Sequence, residues 1–156
     1  MSTQVQLINH SSLLLKDKGK YILLDPWHLK PAFGSWMPTF QQYIHPSYLS
    51  ALGENLSIVI SHGHDDHCDD DLLKIFDRST EFVFTKFKSP SVFNRLKKLG
   101  FHNFQQIAPN SNDVIKIHGE QYRLKSHINT ILSDDDSIIT IATESGVVIH
   151  ANDNWI

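Results

Sequence analysis

Only one cysteine, Cys68, stands among the 156 residues of this chain, so no intramolecular disulfide can form. Long apolar runs are missing too. None approaches the roughly 18 residues that a membrane-spanning helix needs, and no membrane span is expected. The opening residues, Met1-Ser2-Thr3-Gln4-Val5-Gln6, lack the basic stretch and apolar segment of a secretory signal, which makes a cytoplasmic protein the expectation. A basic surplus is also absent. The net charge of -3 argues against a dedicated nucleic-acid binder, leaving only a local patch at Arg95, Lys97 and Lys98. No internal repeat or low-complexity linker interrupts the chain. With 40% hydrophobic and 20% charged residues, the composition is globular, and the length suits a single domain over 1–156.

Histidine, by contrast, is abundant, at 10 of 156 residues. Three of the ten fall in Ser61-His62-Gly63-His64-Asp65-Asp66-His67, directly after the apolar run Ser57-Ile58-Val59-Ile60. A loop leaving the end of a buried strand can aim several side chains at one point, and neutral imidazole with carboxylate suits zinc and similar divalent ions. His62 and His64, one residue apart, can share one ion, and Asp66 and His67 can take a second nearby. Two adjacent ions activate water for hydrolysis at neutral pH.

Around this motif strands dominate. Apolar runs at 4–8, 13–16 and 20–25 read as an opening β-meander, with the polar, glycine-containing 16–20 as a hairpin turn. Asp25-Pro26-Trp27 ends the third strand, since proline cannot continue a central strand. Residues 27–46 hold Pro31, Pro38 and Pro46 among Trp27, Phe33, Trp36, Phe40 and Tyr43 without a helical or alternating period. That pattern predicts a long aromatic loop, serving either as a cover for a substrate pocket or as core material. A short helix is predicted over 47–52 and a buried strand over 56–60. Asp69-Asp70-Asp71 then open a helix carrying Leu72, Leu73, Ile75 and Phe76. A strand at 81–85 follows, and a helix capped at Ser89-Pro90 stops at Gly100. Strands at 104–107, 114–117, 121–125, 137–142 and 147–150 complete the chain.

Ser-His-x-His-x-Asp-His after an apolar strand is the signature of the metallo-β-lactamase superfamily, which residues 61–67 resemble without a mismatch. Asn9-His10-Ser11-Ser12 and Tyr21-Ile22-Leu23-Leu24-Asp25-Pro26-Trp27 are similar to the start of one branch. That branch includes ascorbate-phosphate lactonase-like proteins and the metal domain of CMP-N-acetylneuraminate hydroxylase. The resemblance implies an α/β (α+β) fold, the metallo-β-lactamase-like αββα sandwich. It also implies two distant ligands. His127, in Ser126-His127 ahead of Asp136-Ser137-Ile138-Ile139, would join His62 and His64 on the first ion. Asp153 would bridge to a second ion held with Asp66 and His67, and Asp66 or Asp153 would position the nucleophile and help with its proton. Family members continue beyond the bridging aspartate to a final histidine, whereas Asn154-Trp155-Ile156 contain none. The expectation is therefore a sandwich incomplete at the C-terminus, with open strand edges that favour a homo-oligomer completing the fold.

Other residues keep two readings. Asp25 either orients a ligand histidine or closes its strand with a turn, and His10 stands near the site by resemblance or is structural. Cys68 packs at a helix start or is drawn into the site, while His28, His45, His102, His118 and His150 lie outside any motif. Three functions follow. The first is a hydrolase whose metal-bound hydroxide attacks an ester, lactone or phosphoester of a small-molecule substrate, with zinc ahead of manganese or iron and one or two ions. The second is an oxidoreductase component resembling sialic-acid hydroxylase, although no cysteine-and-histidine cluster for an iron–sulfur centre is present. The third is a non-catalytic binding or assembly module.

Overall fold

The chain opens with the predicted meander, formed by antiparallel strands β1 (Gln4–Asn9), β2 (Ser12–Asp17) and β3 (Lys20–Leu24), in a computed structural model that describes residues 2–28, 30–37, 44–128 and 135–153. From β3 the sheet continues in parallel through β4 (Leu56–Ile60), β5 (Glu81–Thr85) and β6 (Asn103–Ile107), giving six strands in chain order. Strand β4 is buried at every position, as its unbroken apolar run requires of a strand covered on both faces. A second sheet of four antiparallel strands follows, comprising β7 (Asn112–Ile117), β8 (Glu120–His127), β9 (Ile138–Thr143) and β10 (Gly146–His150).

Side chains alternate across the six-stranded sheet and build a core on each face. Leu23, Ile58, Ile60, Phe82 and Phe84 pack with Leu49, Leu72, Leu73, Val92 and Leu96 of the helices α1 (Pro46–Ala51), α2 (Asp70–Leu73) and α3 (Ser91–Lys98). Ile22, Leu24, Val59 and Val83 pack instead on Ile115, Tyr122, Leu124 and Ile139 of the second sheet. Three of the four αββα layers are thus present among the described residues. Val114, Val147 and Ile149 lie exposed on the outward face of the four-stranded sheet.

Local signals explain most boundaries. The Asp69 side chain caps α2 by accepting from the Asp71 and Leu72 N–H groups, and Gly100 ends the α3 segment with a left-handed φ of 94°. Helix α3 starts one residue later than the Ser89 cap implies. Its first turn is anchored by the Pro90 carbonyl, which accepts from Asn94 N–H at 2.8 Å. In the aromatic stretch Trp27 is buried and Ala32 pairs with Trp36 in a tight turn, whereas Phe33 and Trp36 are exposed. Pro38, Phe40 and Tyr43 fall outside the described residues.

This layering predicts unequal costs for truncating apolar residues. Leu124→Ala, between the sheets at 0% exposure, should lose about 2–5 kcal/mol of stability in denaturant unfolding. Ile149→Ala, at 64% exposure, should lose less than about 1 kcal/mol. Equal losses would mean that the outward face is covered in solution.

Candidate metal centre

Strands β3 and β4 run parallel with Leu24 opposite Val59, so Asp25 and Ser61 leave the sheet side by side. Asp25 N–H donates to the Val59 carbonyl at 3.0 Å, and the residue turns with a left-handed φ of 45°. Aspartate tolerates that conformation better than most residues. The turn brings its carboxylate into the histidine loop, where it accepts from Ser61 N–H (2.7 Å), Ser61 Oγ–H (2.6 Å), His67 Nδ1 (2.8 Å) and His150 Nε2 (2.7 Å). Burial opposes ionisation, but His150 and His67 together hold the Asp25 carboxyl well below the usual carboxylate range. Asp25 is therefore the orienting residue, and His150, without a sequence motif, is its partner.

The loop is gripped from outside by α3. Arg95 donates through Nε to Asp70 (2.5 Å), through one terminal nitrogen to the Gly63 carbonyl (2.7 Å) and through the other to Asp65 (2.9 Å). Only arginine offers such a fork of donors. Gly63 fits the same contact, because a Cβ there would stand 3.3 Å from Val92 Cγ2.

These supports leave ligand atoms facing one another. His62 Nδ1 lies 3.0 Å from Ser61 Oγ and 3.2 Å from Asp136 Oδ1, so Nε2 carries its free lone pair toward His64 Nδ1 at 2.9 Å. Asp153 Oδ2 is 3.8 Å from His62 Nε2, and its Oδ1 is 3.6 Å from His67 Nε2. Asp66 Oδ2 lies 3.4 Å from His67 Nε2 and 3.2 Å from His10 Nε2. Two clusters of three result, His62–His64–Asp153 and His10–Asp66–His67, each with its ligand atoms within 4.8 Å of one another. Asp25, His62 and His67 form another such set. Among the described residues, buried His67 Nε2 and Asp66 Oδ1 have no hydrogen-bond partner, a costly state for isolated polar atoms and a fitting one for metal ligands. The donor set suits a divalent ion.

Charge supports the same reading. Burial, with His67 nearby, holds His62 down at about 4, so it is neutral and ready to coordinate at pH 7. Burial also disfavours the His67 cation, but the hydrogen bond to Asp25 and the nearby Asp66 carboxylate push it up to about 10. That proton offsets the surrounding carboxylates, and a divalent ion taking its place would release it. Burial lifts Asp136 to about 6, against the pull of the Ser137 N–H.

Five of the six ligands expected from the sequence, His62, His64, Asp66, His67 and Asp153, come together here. His127 ends β8 opposite Ile138, half-buried, and belongs to none of these sets among the described residues. Burial and Lys125 lower its basicity. Asp136 and His150 went unrecognised, although one signal for His150 was available: it follows Val148 on the inward register of β10. Cys68 is buried in the helical core with its thiol pushed up to about 12 by burial, which fits packing. A depression of about 230 Å³ lined by His10, Ser11, His150, Asn152 and Asp153 adjoins the cluster. A cavity of about 540 Å³ lies at the opposite end of the sheet, beside Glu81, Lys116 and His118.

Comparison with known proteins bears on the family and the fold. A family described as the beta-lactamase superfamily domain matches residues 4–146. A candidate Rieske 2Fe-2S iron-sulfur protein of Mycolicibacterium smegmatis is 33% identical over 104 residues, 65% of this chain and 19% of the relative. A candidate metal-dependent hydrolase from Veillonella parvula has a similar structure, with TM-score 0.74 and 18% identity over 100% of this chain and 65% of its own. So does CmlA, a diiron beta-hydroxylase from Streptomyces venezuelae, with TM-score 0.68 and 16% identity over 97% of this chain and 30% of its own. The chain thus spans only part of each. No described helix is long and apolar enough to cross a membrane.

Asp25→Asn tests the hub. It should weaken metal affinity by about 10–100-fold, the usual cost of losing a group that orients a ligand, measured by competition with a chromogenic chelator. Unchanged affinity would refute the orienting role.

Proposed function

The chain belongs to the metallo-β-lactamase superfamily, and we propose that it is a cytoplasmic metal-dependent hydrolase acting on an ester, lactone or phosphoester of a small molecule. The observation that carries this reading is the convergence of His62, His64, Asp66, His67 and Asp153 on two adjoining clusters at the end of β4. In this reading His62, His64 and Asp153 would hold one divalent ion, zinc foremost, to which the family resemblance adds His127, and Asp66, His67 and Asp153 would hold a second. When bound, such ions supply Lewis acidity and lower the pKa of water.

The chain's own residues do the rest. Asp25 and Ser61 fix the ring orientations of His67 and His62. Asp153, facing both clusters, orients an attacking water and accepts its proton, with Asp66 as the alternative acceptor. Phe33, whose ring lies 5.9 Å from that of His64, and Trp36, 5.0 Å from that of His10, offer exposed apolar area beside the reacting centre for the body of the substrate.

A second reading draws on the Rieske-named relative and the diiron hydroxylase. Here the same ligands would serve oxygen chemistry. A Rieske centre needs two cysteines, and Cys68 is the only one in the chain, so that cluster would lie elsewhere. A non-catalytic binding module remains the third reading. We also propose a homo-oligomer, from the exposed Val5 and Leu7 on edge strand β1 and the open face bearing Val147 and Ile149.

Mass spectrometry of protein purified without added metal should find bound divalent ion, largely lost in the His62→Ala/His64→Ala double variant. Unchanged metal content would refute the site. The loaded protein should hydrolyse members of a lactone and phosphodiester panel, whereas iron-dependent oxygen consumption without hydrolysis would favour the second reading. Light scattering across concentrations should give a mass above that of one chain, and a monodisperse monomer would refute association.

A further inference from the structure

Besides the histidines of the 61–67 loop, an imidazole reaches the second cluster from the β1–β2 hairpin, that of His10. We infer that His10 is a ligand of the second ion, sharing it with Asp66, His67 and Asp153. The inference rests on the metal reading above and adds a ligand to it.

The β1–β2 hairpin places this side chain. Asn9 pairs with Ser12, leaving His10 and Ser11 as a two-residue tip, and His10 takes a left-handed φ of 35°. The tip is anchored at the site: Ser11 Oγ lies 3.1 Å from His67 Nδ1. The His10 ring is then held edge-on against Trp27 at 5.5 Å and Trp36 at 5.0 Å. Aromatic packing on two sides leaves the ring few alternatives, and its Nε2 stands 3.2 Å from Asp66 Oδ2.

Independent of His10, the remaining atoms of the set point to a ligand. His67 is fully buried with its Nδ1 committed to Asp25, so only Nε2 faces the cluster, and among the described residues Nε2 has no hydrogen-bond partner. Asp66, 1% exposed, has an unpartnered Oδ1. A divalent ion held between His67 Nε2, the Asp66 carboxylate and His10 Nε2 would satisfy that nitrogen. Asp153, with one oxygen toward His67 and the other toward His62, joins this set to the first.

The competing explanation makes His10 a hydrogen-bond donor that merely steadies Asp66. His10→Gln separates the two, because glutamine retains a donor but is a poor ligand for zinc or cobalt. Apo protein would be titrated with cobalt(II), following d–d absorption, and then loaded with zinc and counted by mass spectrometry after gel filtration. Circular dichroism of each apo variant controls for folding. The full chain should bind two ions. His10→Gln and His10→Ala should each keep one at unchanged affinity and bind the other at least tenfold more weakly, whereas His62→Ala should weaken the complementary ion. Two ions bound by His10→Gln at the affinity of the unaltered chain would overturn the role of His10 and leave the metal centre standing. No ion bound by the unaltered chain would overturn both.

Discussion

The buried carboxylate of Asp25 is the group on which the rest of the site depends. It accepts four hydrogen bonds from three residues, Ser61 and His67 of the histidine loop and the distant His150. A carboxylate at 0% exposure is tolerable only because those donors replace its lost hydration. The arrangement works in both directions. The donors keep Asp25 ionised, and Asp25 fixes which nitrogen of His67 is left to face the cluster. Ser61 couples this hub to the neighbouring ligand, because its hydroxyl donates to Asp25 while standing 3.0 Å from His62 Nδ1.

The sheet makes this possible through register. Parallel neighbours end at the same level, so two strands separated by 36 positions in sequence deliver Asp25 and Ser61 to one point. Ligands at the carboxyl ends of parallel strands are a general property of such sheets. The second sheet adds what the first cannot. Ser137 Oγ–H donates to the Ser61 carbonyl at 2.8 Å, Asp136 reaches His62, and Asn152 Nδ2–H donates to the Ser137 carbonyl. The centre is thus built where the open ends of both sheets meet.

Much of this was legible in the sequence, for identifiable reasons. Strands β1 to β5 could be read because their apolar periods are regular and their turns carry Asp-Lys-Gly or Asp-Pro. The ligands His62, His64, Asp66 and His67 could be read because they are contiguous and follow a buried strand. Asp136 and His150 could not, since each depends on contacts across the fold, and resemblance left His10 between a place near the site and a structural role. His150 lies 125 positions from the carboxylate it touches, and an isolated histidine at a strand end has no local mark of that partnership. The Ser89 cap was misread by one residue, because a proline at a helix start can anchor the first turn through its carbonyl alone.

The long span closed by Asp25 and His150 also bears on how the molecule assembles. Ordering a contact across 125 positions carries a loop-closure cost that nearby contacts must offset before it can form. The β9–β10 hairpin can therefore join the hub only after the parallel sheet has brought Asp25 and Ser61 together. Docking of that hairpin is in that case the step that brings Asp136, His150 and Asp153 to the site. A half-formed chain would present β4 and its histidines without Asp136, His150 or Asp153, and so would have little hold on a metal ion until the β9–β10 hairpin had docked.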